Sequence, residues 1–300
     1  MELAGTWYVL PTAFSEDGEL DLTSQARLVE AVLGWGVDGL VALGVTGEAA
    51  GLDPSERDAV VRTVVDAAAG RAPVVVGCAG GSAHPVRAMA ARARELGAEG
   101  ALVLPPLLAR DAGAVPSCFA RVAEAGLPVV LQDDPAASGV RLPVDVLLRA
   151  AEACRAAAVK LEDPPTPPKI AQLLAARPDL RVFGGLGGLH ALGELRRGAV
   201  GTMTGFAYPE VLRAVRLAVA RGDLRGAAGI FDRHLPLIAF EAQPGIGIAI
   251  RKELLRRRGV LVSAATRMGA PPDPLTLQEL DEVLDRAGMA PSPDPYDVAP

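Results

Sequence analysis

Lys160 is the residue of this chain that is best suited to chemistry. It stands near the end of a short apolar run, Ala157–Leu161, and it is one of only three lysines among thirty basic residues. Desolvation favours the neutral form of a buried amine, and a neutral amine can attack a carbonyl carbon. The alternative is a structural lysine that extends to solvent or pairs with Glu162. Residue type and position therefore predict either a nucleophile or an ion pair.

A second candidate is the segment Gly44-Val45-Thr46-Gly47-Glu48, which follows another apolar run. Two glycines in a turn that leads into a capped helix allow backbone N–H groups to converge on an anion such as a carboxylate. Glycine turns at strand ends are also common as plain turns. The segment by itself is a weak indication of an anion site.

Two further segments carry weaker signals. Asp133 and Asp134 precede a proline and could form a metal or acid–base site, although adjacent acids in this context more often make a turn. The glycine-rich segment 184–188 stands where barrel enzymes bind phosphate, and it is equally consistent with a flexible linker. The three histidines do not stand beside acids at strand ends, so the sequence predicts no metal site.

Short β-branched runs alternate with longer stretches of helical period, and these elements must position the candidate residues. Continuous apolar runs are typical of parallel strands buried on both faces. Eight such units predict a (β/α)8 TIM barrel of the α/β class, with an open doubly wound sheet as the alternative. The predicted strands are Trp7–Thr12, Gly39–Gly44, Pro73–Cys78, Gly100–Pro105, Leu127–Gln132, Ala157–Leu161, Leu180–Gly184 and Val200–Gly205.

Alternation along the sixth strand decides which side chains accompany the lysine. Ala158, Lys160 and Glu162 share one face, while Val159 and Leu161 share the other. The small alanine on the lysine's face indicates that this face points into the barrel lumen. Barrel enzymes place their sites at the carboxyl ends of the strands, where this lysine would lie.

The chain divides into three parts by pattern. Residues 1–220 are predicted to form the barrel, and residues 221–290 a C-terminal helical subdomain. Residues 291–300 are rich in proline and are predicted to be a disordered tail. The helical stretches of the subdomain are Leu224–Ala239, Ile246–Arg258 and Leu275–Gly288.

Composition narrows the function classes. The formal net charge is −6 and the isoelectric point about 5.2, and without a basic patch we expect no nucleic-acid partner. Three widely separated cysteines predict neither disulfides nor a zinc site. We find no apolar run of about 18–20 residues that could span a bilayer, and no signal-peptide pattern. The sequence therefore predicts a cytoplasmic protein that does not engage a membrane.

Four segments together resemble the dihydrodipicolinate synthase / N-acetylneuraminate lyase family of Schiff-base class I aldolases. The resemblance covers roughly residues 5–290 in the family's order. Gly44-Val45-Thr46-Gly47-Glu48 is similar to the motif G-[TS]-T-G-E. The other similar segments are Val9-Leu10-Pro11-Thr12, Ala158-Val159-Lys160 and Gly201-Thr202-Met203-Thr204.

The resemblance implies roles for these positions. Lys160 would be the Schiff-base lysine, and backbone N–H groups near Thr46 and Gly47 would hold the carboxylate of a 2-keto acid such as pyruvate. Gly44, Val45 and Met203 would complete the substrate-binding set. Family members are commonly homotetramers and need no metal or organic cofactor, so we expect a homo-oligomer, tetramer or dimer, without a cofactor.

This sequence departs from the family pattern at the proton relay. The relay tyrosine falls on Gln132, the arginine that recognises a second carboxylate on Ala137, and the first hydroxyl of the strand-two motif on Val45. The tyrosine usual after strand four is missing from Pro105-Pro106-Leu107-Leu108, and glycines near Gly187 replace the polyol-binding acids of the lyase. These departures argue against lysine-pathway synthesis and against sialic acid cleavage.

Glu162 is our candidate replacement for the relay, as a general acid/base beside the amine. Gln132 can hydrogen-bond a substrate but cannot titrate. Asp133 is a weaker alternative, because strand alternation turns it away from the lysine's face.

The sequence therefore predicts a lyase or aldolase that cleaves, condenses or dehydrates a 2-keto acid. Leu107, Leu108 and Phe206 near strand ends suggest a substrate whose remainder is less polar than a sugar acid. The alternative is a non-catalytic member of the family that binds a keto acid for sensing or assembly.

Overall fold

The computed structural model describes residues 3–106 and 112–298, and in this part of the chain eight parallel strands close into a barrel. Each strand pairs with the next, and β8 returns to pair with β1. The predicted barrel is confirmed, and the open sheet is excluded. The strands are β1 Gly5–Val9, β2 Gly39–Ala42, β3 Val74–Cys78, β4 Gly100–Val103, β5 Val129–Asp133, β6 Ala158–Leu161, β7 Val182–Gly184 and β8 Gly201–Thr204.

Alternation sorts the strand residues into two hydrophobic layers. One layer fills the lumen, and it consists of Leu3, Trp7, Val9, Val41, Val75, Leu102, Val130, Ala158, Phe183 and Met203. The opposite faces of the strands, including Val159 and Leu161, pack into the larger core beneath the helices. The lumen is therefore a packed apolar plug, and polar chemistry is left to the open end above it.

Helices surround the barrel and extend beyond it. They are α1 Leu22–Gly34, α2 Pro54–Ala68, α3 Ala83–Glu95, α4 Val115–Ala123, α5 Pro135–Ser138, α6 Val144–Ala153, α7 Thr166–Ala176, α8 Ala191–Leu195, α9 Pro209–Ala220, α10 Leu224–Glu241, α11 Gly247–Arg257 and α12 Pro274–Ala287. The capping box of Asp53 and Glu56 begins α2, because each side chain accepts the other's backbone N–H. In the described part of the chain, no helix is both long and apolar enough to cross a membrane.

Two buried ion pairs attach α11 and the residue that follows it to the barrel. The Lys252 ammonium contacts Glu48 at the end of the strand-two motif, and both side chains are fully buried. The Arg258 guanidinium contacts Glu210 at the beginning of α9, with an N–O distance of 2.7 Å. Helices α10 to α12 occupy the region predicted as a helical subdomain, and the division at residue 220 stays a prediction.

The proline-rich end of the chain differs from the expectation of disorder. Residues 291–298 lie on the barrel, and the carbonyls of Pro293 and Ser292 accept hydrogen bonds from Trp35 and Arg258 at 3.0 and 2.9 Å. The ring of Tyr296 packs against Tyr208 and His234. Composition missed this because the segment is ordered by buried donors elsewhere in the chain, not by its own pattern. The last two residues lie outside the described part.

One of the three residues behind the apolar expectation for the substrate does not line the lumen. Phe206 belongs to the core beneath the helices, where it is 1% exposed and packs against Tyr208, so it does not line the lumen. Leu107 and Leu108 lie outside the described residues.

Candidate active site

Lys160 lies in the lumen near the carboxyl end of β6. Its neighbours in the register are Gln132 on β5 and Phe183 on β7. The residue is 5% exposed, on the same face as Ala158, which is part of the apolar plug. The face predicted from alternation is correct, and it puts the amine directly above the apolar side chains that fill the lumen.

Glu162 is the ionic partner of this lysine. Its Oε2 is 3.2 Å from the Nζ of Lys160, and no other acid in the described residues pairs with this amine. Gln132 Nε2 donates to the same oxygen at 2.7 Å, and the backbone N–H of Leu186 donates to Oε1 at 3.1 Å. The three predicted catalytic residues therefore form one connected group, in which the glutamate is held by two donors besides the lysine.

The glycine-rich segment after β7 supports Glu162. A Cβ on Gly185 would lie 2.3 Å from the Cγ of Glu162, which is far below a van der Waals contact, so this position has room only for glycine. The same segment supplies the Leu186 N–H that fixes Glu162. The structure thus gives the segment a local function as a backbone cradle for the carboxylate.

The turn after β2 is a short 3-10 helix, Val45–Gly47. The Gly47 N–H donates to Gly44 O at 2.9 Å, and the Gly47 carbonyl accepts the Thr12 hydroxyl at 2.6 Å. The Thr46 hydroxyl oxygen is buried and has no hydrogen-bond partner among the described residues. Val45 is 46% exposed. The Gly47 N–H predicted for an anion is already used within the turn, and the buried Thr46 hydroxyl is left without a partner among the described residues.

Glu48 holds this turn in place. It adopts a left-handed conformation with φ 52°, which is unusual for a residue with a side chain. One carboxylate oxygen accepts the Lys252 ammonium, and the other accepts the backbone N–H groups of Arg267 and Met268 at 2.8 and 2.9 Å. No sequence pattern indicated this anchor, because its members are more than 200 residues apart along the chain.

Asp134 is a second acid near the lysine that the sequence analysis did not assign to the site. It follows β5 two residues after Gln132, is 8% exposed, and its Oδ1 accepts the Ala137 N–H at 3.1 Å to cap α5. Burial raises the pKa of the Asp134 carboxyl, and the nearby charge of Glu162 raises it further, while Lys160 lowers it. The signal in the sequence was its place two residues after Gln132, on the same face of the chain.

Asp133 points to the opposite side of β5, as alternation predicted. Its Oδ2 accepts the Lys169 ammonium at 2.6 Å, and the same ammonium donates to Leu142 O at 2.7 Å and to Asp163 at 2.9 Å. Burial raises the pKa of Asp133 to about 6, although Lys169 lowers it. This cluster lies outside the lumen and does not contact the Lys160 amine.

Met203, predicted to bind substrate, is fully buried in the apolar plug beside its register neighbour Trp7. Its side chain contributes to the floor of the site. Gly44 is also buried, and a Cβ there would lie 2.7 Å from a Val9 methyl, so this glycine allows the turn to approach β1. Among the described residues no group of three or more histidine, cysteine or acidic side chains could hold a metal ion.

Comparison with known proteins agrees with this architecture. A profile described as the dihydrodipicolinate synthetase family matches residues 2–287. The chain is 34% identical over 276 residues to the L-2-keto-3-deoxyarabonate dehydratase of Azospirillum brasilense. The aligned region covers 89% of this chain and 88% of that enzyme. It is also 34% identical over 256 residues to the 4-hydroxy-tetrahydrodipicolinate synthase of Acidothermus cellulolyticus, covering 83% and 81%.

Two solved structures share the fold over nearly the whole chain. The dihydrodipicolinate synthase of Rhodopseudomonas palustris superposes with a TM-score of 0.90 at 34% identity, covering 94% of this chain and 97% of that one. YagE, a prophage protein of E. coli K12 solved in complex with pyruvate, gives 0.89 at 25% identity, covering 97% and 100%. With the profile match over residues 2–287, these likenesses show that the chain belongs to the dihydrodipicolinate synthetase family.

Proposed function

We propose that this protein is a Schiff-base lyase that acts on pyruvate or a related 2-keto acid through Lys160. The observation that carries the proposal is the isolated amine above the apolar plug, 3.2 Å from a carboxylate that is itself held by Gln132 and Leu186. An amine in this position needs only to pass its proton to Glu162 to become a nucleophile.

Different residues of the site would act on different atoms of the substrate. The free hydroxyl of Thr46 stands on the turn after β2, and it would hold the carboxylate of the keto acid. Lys160 would attack the ketone carbon, and Glu162 would return the proton it took from the amine to the carbinolamine hydroxyl, which leaves as water. Glu162, beside the new imine, would then remove a proton from carbon 3 and leave an enamine. Gln132 would keep the Glu162 carboxylate aimed at that carbon, since it is bonded to Oε2.

Among the three reaction types predicted for the enamine, we propose dehydration. Condensation in the synthase uses an arginine that recognises a second carboxylate, and by family resemblance that position is Ala137 here. The relative that acts on L-2-keto-3-deoxyarabonate is a dehydratase, and it is similar over 89% of this chain. A 3-deoxy-2-keto acid with a hydroxyl on carbon 4 could be dehydrated by the enamine that this site forms.

The test of Lys160 is chemical trapping. The protein is incubated with pyruvate, reduced with borohydride, and digested for peptide mass spectrometry. We expect a reduced pyruvate adduct on Lys160 that is absent from Lys160→Arg and present in Lys169→Arg, a matched buried lysine outside the lumen. An adduct confined to other lysines, or no adduct with pyruvate or with larger 2-keto acids, would overturn the proposal in favour of a protein that binds keto acids without catalysis.

Assembly and location are further proposals. The family resemblance supports a homo-oligomer, tetramer or dimer, and the composition supports a cytoplasmic protein. One solved relative with the same fold is described as a monomeric variant of dihydrodipicolinate synthase. Light scattering behind size exclusion distinguishes these states, and a single mass near 30.9 kDa would overturn the oligomer.

A further inference from the structure

Asp134 occupies a distinctive place at the mouth of the barrel. It stands two residues beyond Gln132 on the same face of the chain, which puts it roughly 6–7 Å closer to the open end. One carboxylate oxygen is fixed by the Ala137 N–H, and the side chain is buried to 8% exposure. In the described part of the chain, no basic side chain pairs with it.

The electrostatics of this end of the site are acidic. The Glu162 N–H donates to the Asp133 carbonyl at 2.8 Å, which continues the β5–β6 pairing and brings Asp134 beside Glu162. Burial raises the pKa of the Asp134 carboxyl, and the charge of Glu162 raises it further. Two such carboxyl groups prefer to hold one proton between them, which separates their roles into an acid and a base. Glu162 contacts Lys160 and accepts from two N–H donors, so it is the member of the pair placed to act on the carbon next to the imine.

We propose that Asp134 is the general acid that protonates the leaving hydroxyl of a 4-hydroxy-2-keto acid, while Glu162 takes the proton from carbon 3. This inference rests on the proposed Schiff-base function of Lys160 and names its second acid and its substrate class. Among the described residues Lys160 pairs with Glu162 and not with Asp134, and carbon 4 is likewise one bond farther from the imine than carbon 3.

The step balances without an external reagent. Glu162 accepts the carbon 3 proton, the carbon 3 electron pair forms the enamine, and the enamine expels the carbon 4 oxygen. Asp134 gives its proton to that oxygen, which leaves as water. Solvent then returns the proton from Glu162 to Asp134, and water hydrolyses the imine to release the unsaturated keto acid and the Lys160 amine.

The same arrangement determines which substrates fit. A second carboxylate near carbon 4 would meet the acid pair and would be repelled, whereas a neutral hydroxylated chain can donate and accept hydrogen bonds there. The site therefore selects 3-deoxy-2-keto acids with a neutral, hydroxylated remainder over dicarboxylic keto acids.

The test separates proton donation from the capping role of the side chain. Asp134→Asn and Asp134→Ser both retain an oxygen that can cap α5, but neither can donate a carboxylic proton. With 2-keto-3-deoxy-L-arabonate, whose chain beyond the keto acid is neutral and hydroxylated, we expect each to lower kcat by about 100-fold or more. Borohydride trapping of pyruvate on Lys160 should remain within about twofold of the parent, because imine formation does not need Asp134. The acidic group that must be protonated should disappear from the kcat–pH profile.

Asp133→Asn is the matched control, because it removes the neighbouring acid that faces away from the lumen. It should reduce stability while leaving kcat per folded molecule unchanged. If Asp134→Asn and Asp134→Ser keep the parent's turnover and pH profile, the inference is wrong while the Lys160 adduct still supports the proposed function. If the parent forms no adduct on Lys160, the proposed function itself has failed.

Discussion

Two buried lysines nine residues apart have opposite surroundings. Lys169 lies between the barrel and its helices, where two carboxylates and a carbonyl take up its ammonium at 2.6–2.9 Å. Lys160 lies inside the barrel with a single carboxylate at 3.2 Å. Three close acceptors fix the nitrogen of Lys169 in a structural cluster, whereas the nitrogen of Lys160 has one ionic partner among the described residues.

The difference arises because Lys160 stands on the lumen face of β6, whereas Lys169 stands on the helix that follows it. The lumen face of β6 ends above apolar side chains, and Lys160 there has one ionic partner among the described residues. Lys169 comes from α7 and meets acids from the outer face of β5 and from the β6–α7 loop. Burial alone therefore does not identify a nucleophile, and the number and distance of its acceptors are the informative quantities.

The largest effect expected is on turnover when the lumen lysine is removed. Lys160→Met should lower kcat by at least about 10,000-fold, equivalent to about 5.5 kcal/mol in the barrier, because no other described amine reaches the lumen site. Thermal unfolding should change little, since Glu162 keeps two other donors. Steady-state kinetics with a 2-keto-3-deoxy acid and a thermal melt measure both. Residual turnover within tenfold of the parent would contradict the assignment of Lys160, and not Lys169, as the reactive lysine.

Removing Lys169 should reduce stability and leave turnover nearly unchanged. Lys169→Met leaves Asp133 and Asp163 without their ammonium, and we expect the free energy of unfolding to fall by about 3–5 kcal/mol. At a temperature where the variant is folded, its kcat should stay within about twofold of the parent. Urea unfolding with parallel kinetics tests this pair of outcomes. A large loss of kcat without loss of stability would place Lys169 in the catalytic machinery.

Replacing Glu162, the ionic partner of Lys160 among the described residues, should have a smaller effect on turnover. Glu162→Gln should lower kcat by about 100-fold, because the amide cannot accept the proton of carbon 3. The borohydride adduct should still form on Lys160, at a slower rate. Exchange of the methyl protons of pyruvate in deuterium oxide, followed by NMR, reports the proton transfer directly. Unchanged exchange would mean that another base serves the site.

The smallest effect concerns a buried acid behind β7. Glu194 accepts the hydroxyl of Thr166 at the beginning of α7, its Oε2 has no hydrogen-bond partner among the described residues, and burial raises its pKa to about 7. Because the pKa is higher in the folded state than in the unfolded chain, stability is greatest below about pH 4.5 and decreases as the pH rises to about 7.

Glu194→Gln should remove this decrease. We expect the variant to be about 1–2 kcal/mol more stable than the parent at pH 8 and similar to it near pH 4.5. Urea unfolding at the two pH values measures the difference. A parent whose stability does not decrease over this range would show that Glu194 is not protonated in the folded protein.

Much of the architecture could be predicted from local pattern. Eight apolar runs with helical stretches between them predicted the barrel. Alternation along β6 correctly predicted that Lys160 points inward, and alternation along β5 that Asp133 points outward. These predictions succeed because side-chain direction depends on the parity of neighbouring residues in a strand. Similar motifs around Thr46 and Lys160 were sufficient to indicate the family.

Which side chains contact each other could be learned only from the closed barrel. The contact of Gln132 with Glu162 joins residues 30 positions apart, and that of Lys252 with Glu48 joins residues 204 positions apart. The approach of Asp134 to Glu162, the order in the proline-rich end and the withdrawal of Phe206 from the lumen were likewise invisible to composition. The physical reason is that parity gives a direction but no distance: the sequence by itself determined which way each side chain of a strand points, and only closure of the sheet decided what it finds there.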